Sequence, residues 1–232
     1  MTAMAPITVG VVGARGRMGR EVSKAIDAAP DLTLVAGIGS GDPRDSLDAA
    51  QVLVDFTRPG SVMGNVRWGI ERGMNVVVGT SGVGEGELAT IRDWLAEASA
   101  VGVIVVPNFC ISAVLAMRFA ALAAPHFESA EIVDFAHRAK LDAPSGTAVR
   151  TAQMIETAPG VSFGTPKVHS IRLDGLAVHQ EVMLSRPSEI LTIRFDTPDR
   201  AAYLPGVLLA VREIGTRPGL TVGLEPLLNL AF

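Results

Sequence analysis

The first half of the chain alternates short apolar runs with stretches of helical periodicity. The runs are rich in β-branched residues and predict buried strands, namely Ile7–Val12, Leu32–Ile38, Val52–Phe56, Met74–Val78 and Val101–Val106. Helical patterns fill the intervals at about 17–29, 61–72 and 85–98. Because strands and helices alternate, we expect right-handed βαβ units and a parallel sheet.

The pattern changes after Pro107. A helix is predicted over 111–124, and its buried face is expected to contain Ile111, Val114, Leu115, Phe119 and Leu122. The later apolar runs predict strands, and they lie near 131–135, 168–173, 180–184 and 190–195. Since these runs largely follow one another without helices, they favour an antiparallel or mixed sheet. A helix over about 205–215 is predicted to close the chain.

Composition narrows the classes of function. The chain has 232 residues, and 20 Lys and Arg against 24 Asp and Glu give a net charge of −4, which argues against a nucleic-acid partner. A hydrophobic content of 48% excludes a disordered chain. The single Cys cannot form an internal disulfide, and it favours a reducing, cytoplasmic setting. The apolar runs are too short to cross a membrane, so we expect a soluble protein with no membrane partner.

A glycine-rich turn is the first candidate binding site. Gly13, Gly16 and Gly19 follow the first strand directly and open the first helix, which is where a dinucleotide pyrophosphate rests on helix N–H groups. Arg15 and Arg17 in the same turn favour phosphate. The spacing G-x-x-G-x-x-G differs from the usual G-x-G-x-x-G, and a tight turn with no ligand is the alternative.

The acidic residue that usually accompanies such a turn is missing from its expected place. A carboxylate about twenty residues on, at the end of the second strand, would bind the adenosine ribose. Gly39 occupies that place, and Asp42 comes several residues too late. We therefore expect a preference for NADPH over NADH, with Arg15, Arg17 or Ser40 near the 2′-phosphate. A measured preference for NADH of more than about tenfold would contradict this hypothesis.

Three further loops follow predicted parallel strands, where open α/β sheets place ligands. They are Phe56–Pro59, Gly79–Gly82 and Val106–Cys110. Each is equally well interpreted as a connecting turn, and Cys110 as a small buried residue.

The second candidate site lies in the other half of the chain. Ser145 has the position of a helix N-cap, and Gly146 and Thr147 would offer an N-terminal anion site. His137, Arg138 and Lys140 lie just upstream. This cluster favours an anionic small-molecule substrate, such as a carboxylate; a capped helix beside a solvated basic turn is the alternative.

Six segments together resemble one family. They are Gly13–Gly19, Val54–Thr57, Gly79–Gly82, Pro107–Phe109, Asp142–Ala148 and Pro205–Leu208. In this order they are similar to the dihydrodipicolinate (4-hydroxy-tetrahydrodipicolinate) reductase family, and the resemblance covers nearly the whole chain. It implies an α/β fold, with a Rossmann-like parallel-sheet dinucleotide domain at 1–107 and 204–232. A second, α+β domain at 108–203 would have a mixed sheet, bind the cyclic dicarboxylate and form a homotetramer.

The resemblance also implies residue roles in an NADPH- or NADH-dependent reduction that belongs to lysine and diaminopimelate biosynthesis. Lys140 matches the catalytic lysine, a plausible proton donor, and His137 matches a residue that contacts substrate. Ser145, Gly146 and Thr147 match residues that hold a substrate carboxylate. The positions implied to bind cofactor are Gly13, Arg15, Gly16, Arg17, Met18, Gly19, Phe56, Gly79, Thr80, Ser81, Pro107, Asn108 and Phe109.

The chain departs from the family at its imidazoles. Ala136, Ala139 and Phe195 stand where relatives carry His, Ser112 replaces Gly, and the segment between Ala158 and Val168 is shorter. Loss of a positioned general acid or base typically costs about 10²–10⁴-fold in rate. Two alternatives are therefore a paralogous reductase of another cyclic imine or unsaturated acid, and a weakened dinucleotide-binding protein.

Two minor candidates remain. His179 and Glu181 are close enough in sequence to suggest a metal site, but two such residues do not make one, and no metal is expected. Tyr203, the single tyrosine, is an alternative acid.

Overall fold

A computed structural model describes residues 5–229, which form two compact units. The first unit comprises the chain up to Phe109 together with the segment from Tyr203 onward. The second unit is Cys110–Ala202. The chain therefore leaves the first unit once and returns to complete it.

The described residues contain ten strands and six α-helices. The strands are β1 Ile7–Val12, β2 Leu32–Ile38, β3 Val52–Asp55, β4 Asn75–Val78, β5 Gly102–Val105, β6 Ser129–Ala136, β7 Lys167–Arg172, β8 Val178–Arg186, β9 Glu189–Thr197 and β10 Gly219–Val222. The helices are α1 Arg17–Asp27, α2 Pro59–Glu71, α3 Glu85–Ala96, α4 Ile111–Ala123, α5 Gly146–Glu156 and α6 Leu204–Glu213.

The first unit is a six-stranded parallel sheet in the order β10-β5-β4-β3-β1-β2. Every residue of β3 and β5 is buried, as expected for strands covered on both faces. Leu53, Val76 and Val103 from three neighbouring strands join Val66 and Ile91 from the helices in one apolar core. The glycine-rich turn follows the carboxyl end of β1 in this sheet.

Strand β10 is absent from the sequence-based prediction, which closed the chain with a helix. That prediction is wrong: the chain turns after α6, and Gly219–Val222 pairs with β5 in parallel. The strand has only four residues, and three of them are half-buried. The equally short strands β3, β4 and β5 are almost entirely buried, so β10 lacks the continuous apolar run that marks them.

The second unit has a mixed four-stranded sheet in the order β7-β6-β8-β9. Strands β6 and β7 are parallel, with α5 between them in the chain, whereas β8 runs antiparallel to both β6 and β9. Ile132, Val182 and Leu184 from the sheet pack with Ala120 of α4 and Ile155 of α5. The predicted α/β fold, with a Rossmann-like unit and a second mixed-sheet unit, is confirmed.

The buried face of α4 is not the predicted one. Phe119 and Leu122 are 40% and 54% exposed. The buried side chains are instead mostly small, and they are Ala113, Val114, Ala116, Met117 and Ala120. A face of this kind allows close packing against α5 and β9, so the larger residues turn outward. Among the described residues, no helix is both long and apolar enough to span a membrane.

Candidate functional site

The turn between β1 and α1 exposes backbone at a helix N-terminus. Gly13 has a φ of +84°, and its N–H and that of Ala14 donate to the Ile38 carbonyl, which ties the turn to β2. Gly16 is the N-cap, and no side chain caps the helix. A Cβ on Gly19 would lie 2.1 Å from the Gly13 oxygen, so this position requires glycine. The first N–H groups of α1 therefore remain available to an anion.

A cleft of about 600 Å³ opens beside this turn, a size typical of small-molecule sites. Its lining comes from β1, β2, the loop after β2, and the start of α2. The lining residues are Val12, Gly13, Arg15, Gly16, Ile38, Gly39, Ser40, Gly41, Asp42, Arg44, Phe56, Thr57, Arg58, Ser61 and Asn65. Three arginines beside bare glycine backbone fit a ligand that carries phosphates.

The end of β2 does hold a carboxylate, contrary to the interpretation of the sequence. Asp42 folds back so that its Oδ2 accepts a hydrogen bond of 2.8 Å from the Gly39 N–H. Its Oδ1 lies 2.7 Å from Arg15 Nη2. Sequence distance alone made Asp42 appear misplaced, because a turn at Gly41, with a φ of +87°, returns it to the strand end.

A buried polar network supports one wall of the cleft. Asp55, fully buried at the end of β3, accepts hydrogen bonds from Thr57, from Thr80 Oγ1 at 2.5 Å and from Asn65 Nδ2 at 2.7 Å. Asn65 in turn accepts from Arg44 Nη2 at 2.8 Å. Sequence reasoning missed Asn65 and Arg44, since neither belongs to a recognisable motif and the network appears only when β3, β4 and α2 meet.

The predicted cofactor residues fall into two groups. Gly13, Arg15, Gly16 and Phe56 line the cleft. The others do not line it: Arg17, Met18 and Gly19 form the first turn of α1, and the remainder follow β4 and β5, namely Gly79, Thr80, Ser81, Pro107, Asn108 and Phe109.

Gly79 lies against two aromatic rings. A Cβ at this position would lie 2.4 Å from Phe56 and 2.9 Å from Phe109, and the two ring centroids are 5.7 Å apart. The loops after β3, β4 and β5 therefore meet at the carboxyl ends of these strands, as expected for a parallel sheet.

In the second unit, Ser145 caps α5 as its position predicts. Its Oγ accepts from the Ala148 N–H at 3.2 Å, and its own N–H donates to Asp134 Oδ2 at 2.8 Å. A Cβ on Gly146 would meet no heavy atom within 4 Å, so the first turn of α5 is open at that point. This helix end has the geometry that binds carboxylates.

The basic residues upstream of α5 are held by acidic partners. Lys140 Nζ lies 2.7 Å from Asp142 Oδ1, and this hydrogen bond is the main reason that the pKa of Asp142 is lowered. His137 Nδ1 accepts from the Ala139 N–H at 3.1 Å, and its Nε2 lies 3.4 Å from Asp174. Asp142 thus fixes the position of Lys140 Nζ.

A buried ion pair anchors this region, and sequence reasoning missed it. Asp134 of β6 is 3% exposed and lies 2.7 Å from Arg172 Nη2 of β7. Arg172 also donates to the Asp142 carbonyl at 2.9 Å. Asp134 therefore joins the N-terminus of α5, through Ser145, to the loop that carries Lys140.

Two of the positions that depart from the family are buried, whereas Ala139 is exposed. Ala136 ends β6 at 2% exposure, and Phe195 of β9 is 4% exposed. Ala139 lies in the turn whose N–H donates to His137. These positions hold no titratable side chain, so Lys140 and His137 are the titratable residues left in the implied catalytic segment.

Two histidines outside this region, His169 and His179, belong to ion pairs. His179 Nδ1 lies 2.7 Å from Asp196, and Glu181 lies 3.3 Å from Arg194. Arg194 is the main cause of the lowered pKa of Asp196, with His179 contributing. His169 pairs with Glu131. Within residues 5–229, no three His, Cys, Asp or Glu side chains cluster as metal ligands would.

The fold and these features define a class. A Rossmann-like unit with an open glycine turn, followed by a mixed-sheet unit with an anion-suited helix end, is typical of two-domain NAD(P)-dependent oxidoreductases. Comparison with family models then gives the particular family. Residues 7–109 match the N-terminus of dihydrodipicolinate reductase, and residues 112–228 match its C-terminus. The chain belongs to the dihydrodipicolinate reductase family.

Individual relatives agree. A 4-hydroxy-tetrahydrodipicolinate reductase from Nocardia farcinica is 47% identical, with 97% of this chain and 99% of the relative covered. One from Streptomyces avermitilis is 44% identical, with 98% and 100% covered. The family resemblance and the prediction of an NAD(P)H-dependent oxidoreductase are confirmed.

Solved structures extend the comparison. A dipicolinate-bound dihydrodipicolinate reductase from Paenisporosarcina has a TM-score of 0.86 at 30% identity, covering 95% of this chain and 99% of that one. An engineered D-amino acid dehydrogenase bound to NADP+ has a TM-score of 0.61 at 14% identity, covering 98% and 97%. The second likeness shows the fold alone.

Proposed function

We propose that the protein reduces 4-hydroxy-tetrahydrodipicolinate to tetrahydrodipicolinate with NADPH or NADH, a step of lysine and diaminopimelate biosynthesis. The observation that carries this proposal is the match of both units to one reductase family. Each unit contributes a site of matching chemistry: the glycine turn of α1 suits a dinucleotide, and the N-terminus of α5 suits an anionic substrate.

The cofactor belongs to the first unit in this proposal. The N–H groups at the start of α1 bind the pyrophosphate, and Arg15 and Arg17 supply positive charge nearby. Phe56 and Gly79–Ser81, with Pro107–Phe109, form the strand-end wall beside the nicotinamide half. When bound, the reduced nicotinamide supplies the hydride.

The substrate belongs to the second unit. Ser145, Gly146 and Thr147 hold one carboxylate at the positive end of α5, and His137 contacts the substrate. Lys140 is the proton donor in this proposal, and its Nζ lies 2.7 Å from Asp142 Oδ1. The 4-hydroxyl leaves as water, and the reduction adds one hydride and one proton to the unsaturated ring.

A substrate screen tests this function. We expect the freshly generated pathway intermediate to drive oxidation of NADPH or NADH, followed by absorbance. A second candidate function is reduction of another cyclic imine or unsaturated acid, which Ala136, Ala139 and Phe195 favour because family imidazoles are lost. This alternative would be established if the protein binds the cofactor tightly and reduces such a compound but does not reduce the pathway intermediate.

We also propose a homotetramer in the cytoplasm. Exposed apolar side chains on the edge strands β7 and β9 support self-association, since Ile171, Ile190 and Leu191 are 37%, 70% and 38% exposed. Cys110 is a buried thiol that lies 3.1 Å from Thr197 Oγ1, as a reducing compartment allows. A mass measured by light scattering tests the tetramer.

A further inference from the structure

We propose that Asp42 is the residue that selects between NADH and NADPH in this protein. The inference rests on the proposed function, and it concerns the end of β2, where the adenosine ribose of a dinucleotide lies in doubly wound proteins. The chain has Gly39 at the usual place of the ribose-binding carboxylate. Asp42 supplies a carboxylate to that place from three residues further on.

The contacts fix this carboxylate at the strand end. Asp42 Oδ2 accepts from the Gly39 N–H at 2.8 Å, and the Asp42 N–H donates to the Gly39 carbonyl at 3.3 Å. The Asp42 side chain is 28% exposed, and both residues line the cleft. A carboxylate held there accepts hydrogen bonds from ribose hydroxyls and repels a 2′-phosphate.

Arg15 adds the opposite preference at the same point. Its Nη2 lies 2.7 Å from Asp42 Oδ1, and its side chain is 69% exposed. A Cβ on Gly39 would lie 2.8 Å from Arg15 Cδ, so the glycine leaves room for Arg15 to cross the end of β2. A 2′-phosphate must compete with Asp42 for this guanidinium, whereas a 2′-hydroxyl leaves the pair intact.

The preference for NADPH was expected from the sequence because the end of β2 seemed to have no carboxylate. The position of Asp42 removes that reason. A selecting role and a purely structural role of Asp42 predict different results. If Asp42 only stabilised the loop, its replacement would weaken both cofactors equally. If it selects, its replacement changes their ratio.

The test is a pair of binding titrations by nicotinamide fluorescence with NADH and NADPH. In Asp42→Asn, the amide oxygen keeps a hydrogen-bond acceptor for Gly39, while the negative charge is lost. We expect the ratio of Kd(NADH) to Kd(NADPH) to rise by about tenfold or more. NADH loses a charge-assisted hydrogen bond between its ribose hydroxyls and Asp42, whereas NADPH no longer meets the repulsion between its 2′-phosphate and the carboxylate. The double variant Gly39→Asp/Asp42→Asn is expected to move the ratio back toward NADH.

Asp45→Asn is the matched control, because it removes the same charge from the next turn and Asp45 does not line the cleft. Its ratio should stay within about twofold of the wild type, since exposed charges at a distance are screened. A ratio for Asp42→Asn that also stays within about twofold, with both cofactors bound, would overturn the role of Asp42 alone. Failure of the wild type to bind either cofactor would overturn the proposed function and this inference together.

Discussion

At the scale of single residues, the chemistry is concentrated on a few side chains whose partners are defined. Lys140 forms an ion pair with Asp142, whose backbone carbonyl accepts a hydrogen bond from Arg172. Arg172 in turn forms an ion pair with Asp134. A chain of contacts thus runs from the proposed proton donor to a buried carboxylate. Two predictions separate the chemical end of this chain from its structural end.

Lys140→Ala removes the proposed proton donor. We expect kcat to fall by about 10²–10⁴-fold, because general-acid assistance is lost, while the Kd for NADPH stays unchanged. Lys167→Ala, which removes an exposed lysine at the start of β7, is the control and should keep wild-type turnover. Full activity in Lys140→Ala would assign the proton to another group, such as Tyr203.

Asp134→Leu removes the buried partner of Arg172. We expect a loss of about 3–5 kcal/mol of stability, because an uncompensated charge remains in a site where Arg172 is only 15% exposed. Thermal unfolding of the single variant and of Asp134→Leu/Arg172→Met measures this. The double variant should recover part of the loss; equal melting temperatures of the two would contradict an ion-pair origin.

At the scale of elements, two helix N-termini differ in how they are capped. Gly16 leaves α1 without a side-chain cap, whereas Ser145 caps α5 with its hydroxyl. The uncapped end leaves more N–H groups available to an anion, and the capped end is the one proposed to hold a substrate carboxylate.

Ser145→Ala tests the second of these ends. Loss of the cap should cost about 1 kcal/mol of stability and weaken dipicolinate binding, since the same hydroxyl is proposed to contact the ligand. Glu87→Ala is the matched control: Glu87 Oε2 accepts from the Gly84 N–H at the start of α3, so a similar capping bond is lost. Calorimetric titration should show weaker binding in Ser145→Ala only; equal affinities in the two variants would remove Ser145 from the site.

The elements also show what sequence can predict. Strands β1 and β2 match their predicted bounds, since their β-branched runs are bounded by turn residues. Strand β10 and the true buried face of α4 escaped prediction, because both depend on neighbours rather than on local pattern. In the site, motif residues were predicted from glycine and capping chemistry, whereas Asp42 and Asp134 needed the turn and the strand pairing that place them.

At the scale of the whole molecule, exposed ion pairs occur in both units. The pKa of Asp31 is lowered mainly by Arg212, that of Asp142 by Lys140, and that of Asp196 by Arg194. All three carboxylates are solvent-exposed, so each contributes little at neutral pH.

These shifts predict the direction of acid sensitivity. A carboxyl pKa that is lower in the folded state gives stability that is present above the unfolded value of 3.8 and is lost as pH falls through the folded value. We therefore expect the melting temperature to be insensitive to these groups from neutral pH down to about pH 4 and to fall below it. Asp31→Asn should make that fall shallower, and a steeper fall would contradict the assignment.

The return of the chain to its first unit has a consequence for the order of assembly. Residues 110–202 are contiguous, so the second unit is complete as soon as it leaves the ribosome. The first unit must wait, because β5 keeps an open edge until Gly219–Val222 is synthesised and pairs with it. An unpaired edge strand is a template for aggregation. A chain truncated before residue 219 would therefore carry a complete second unit and a first unit in which the edge of β5 is unpaired.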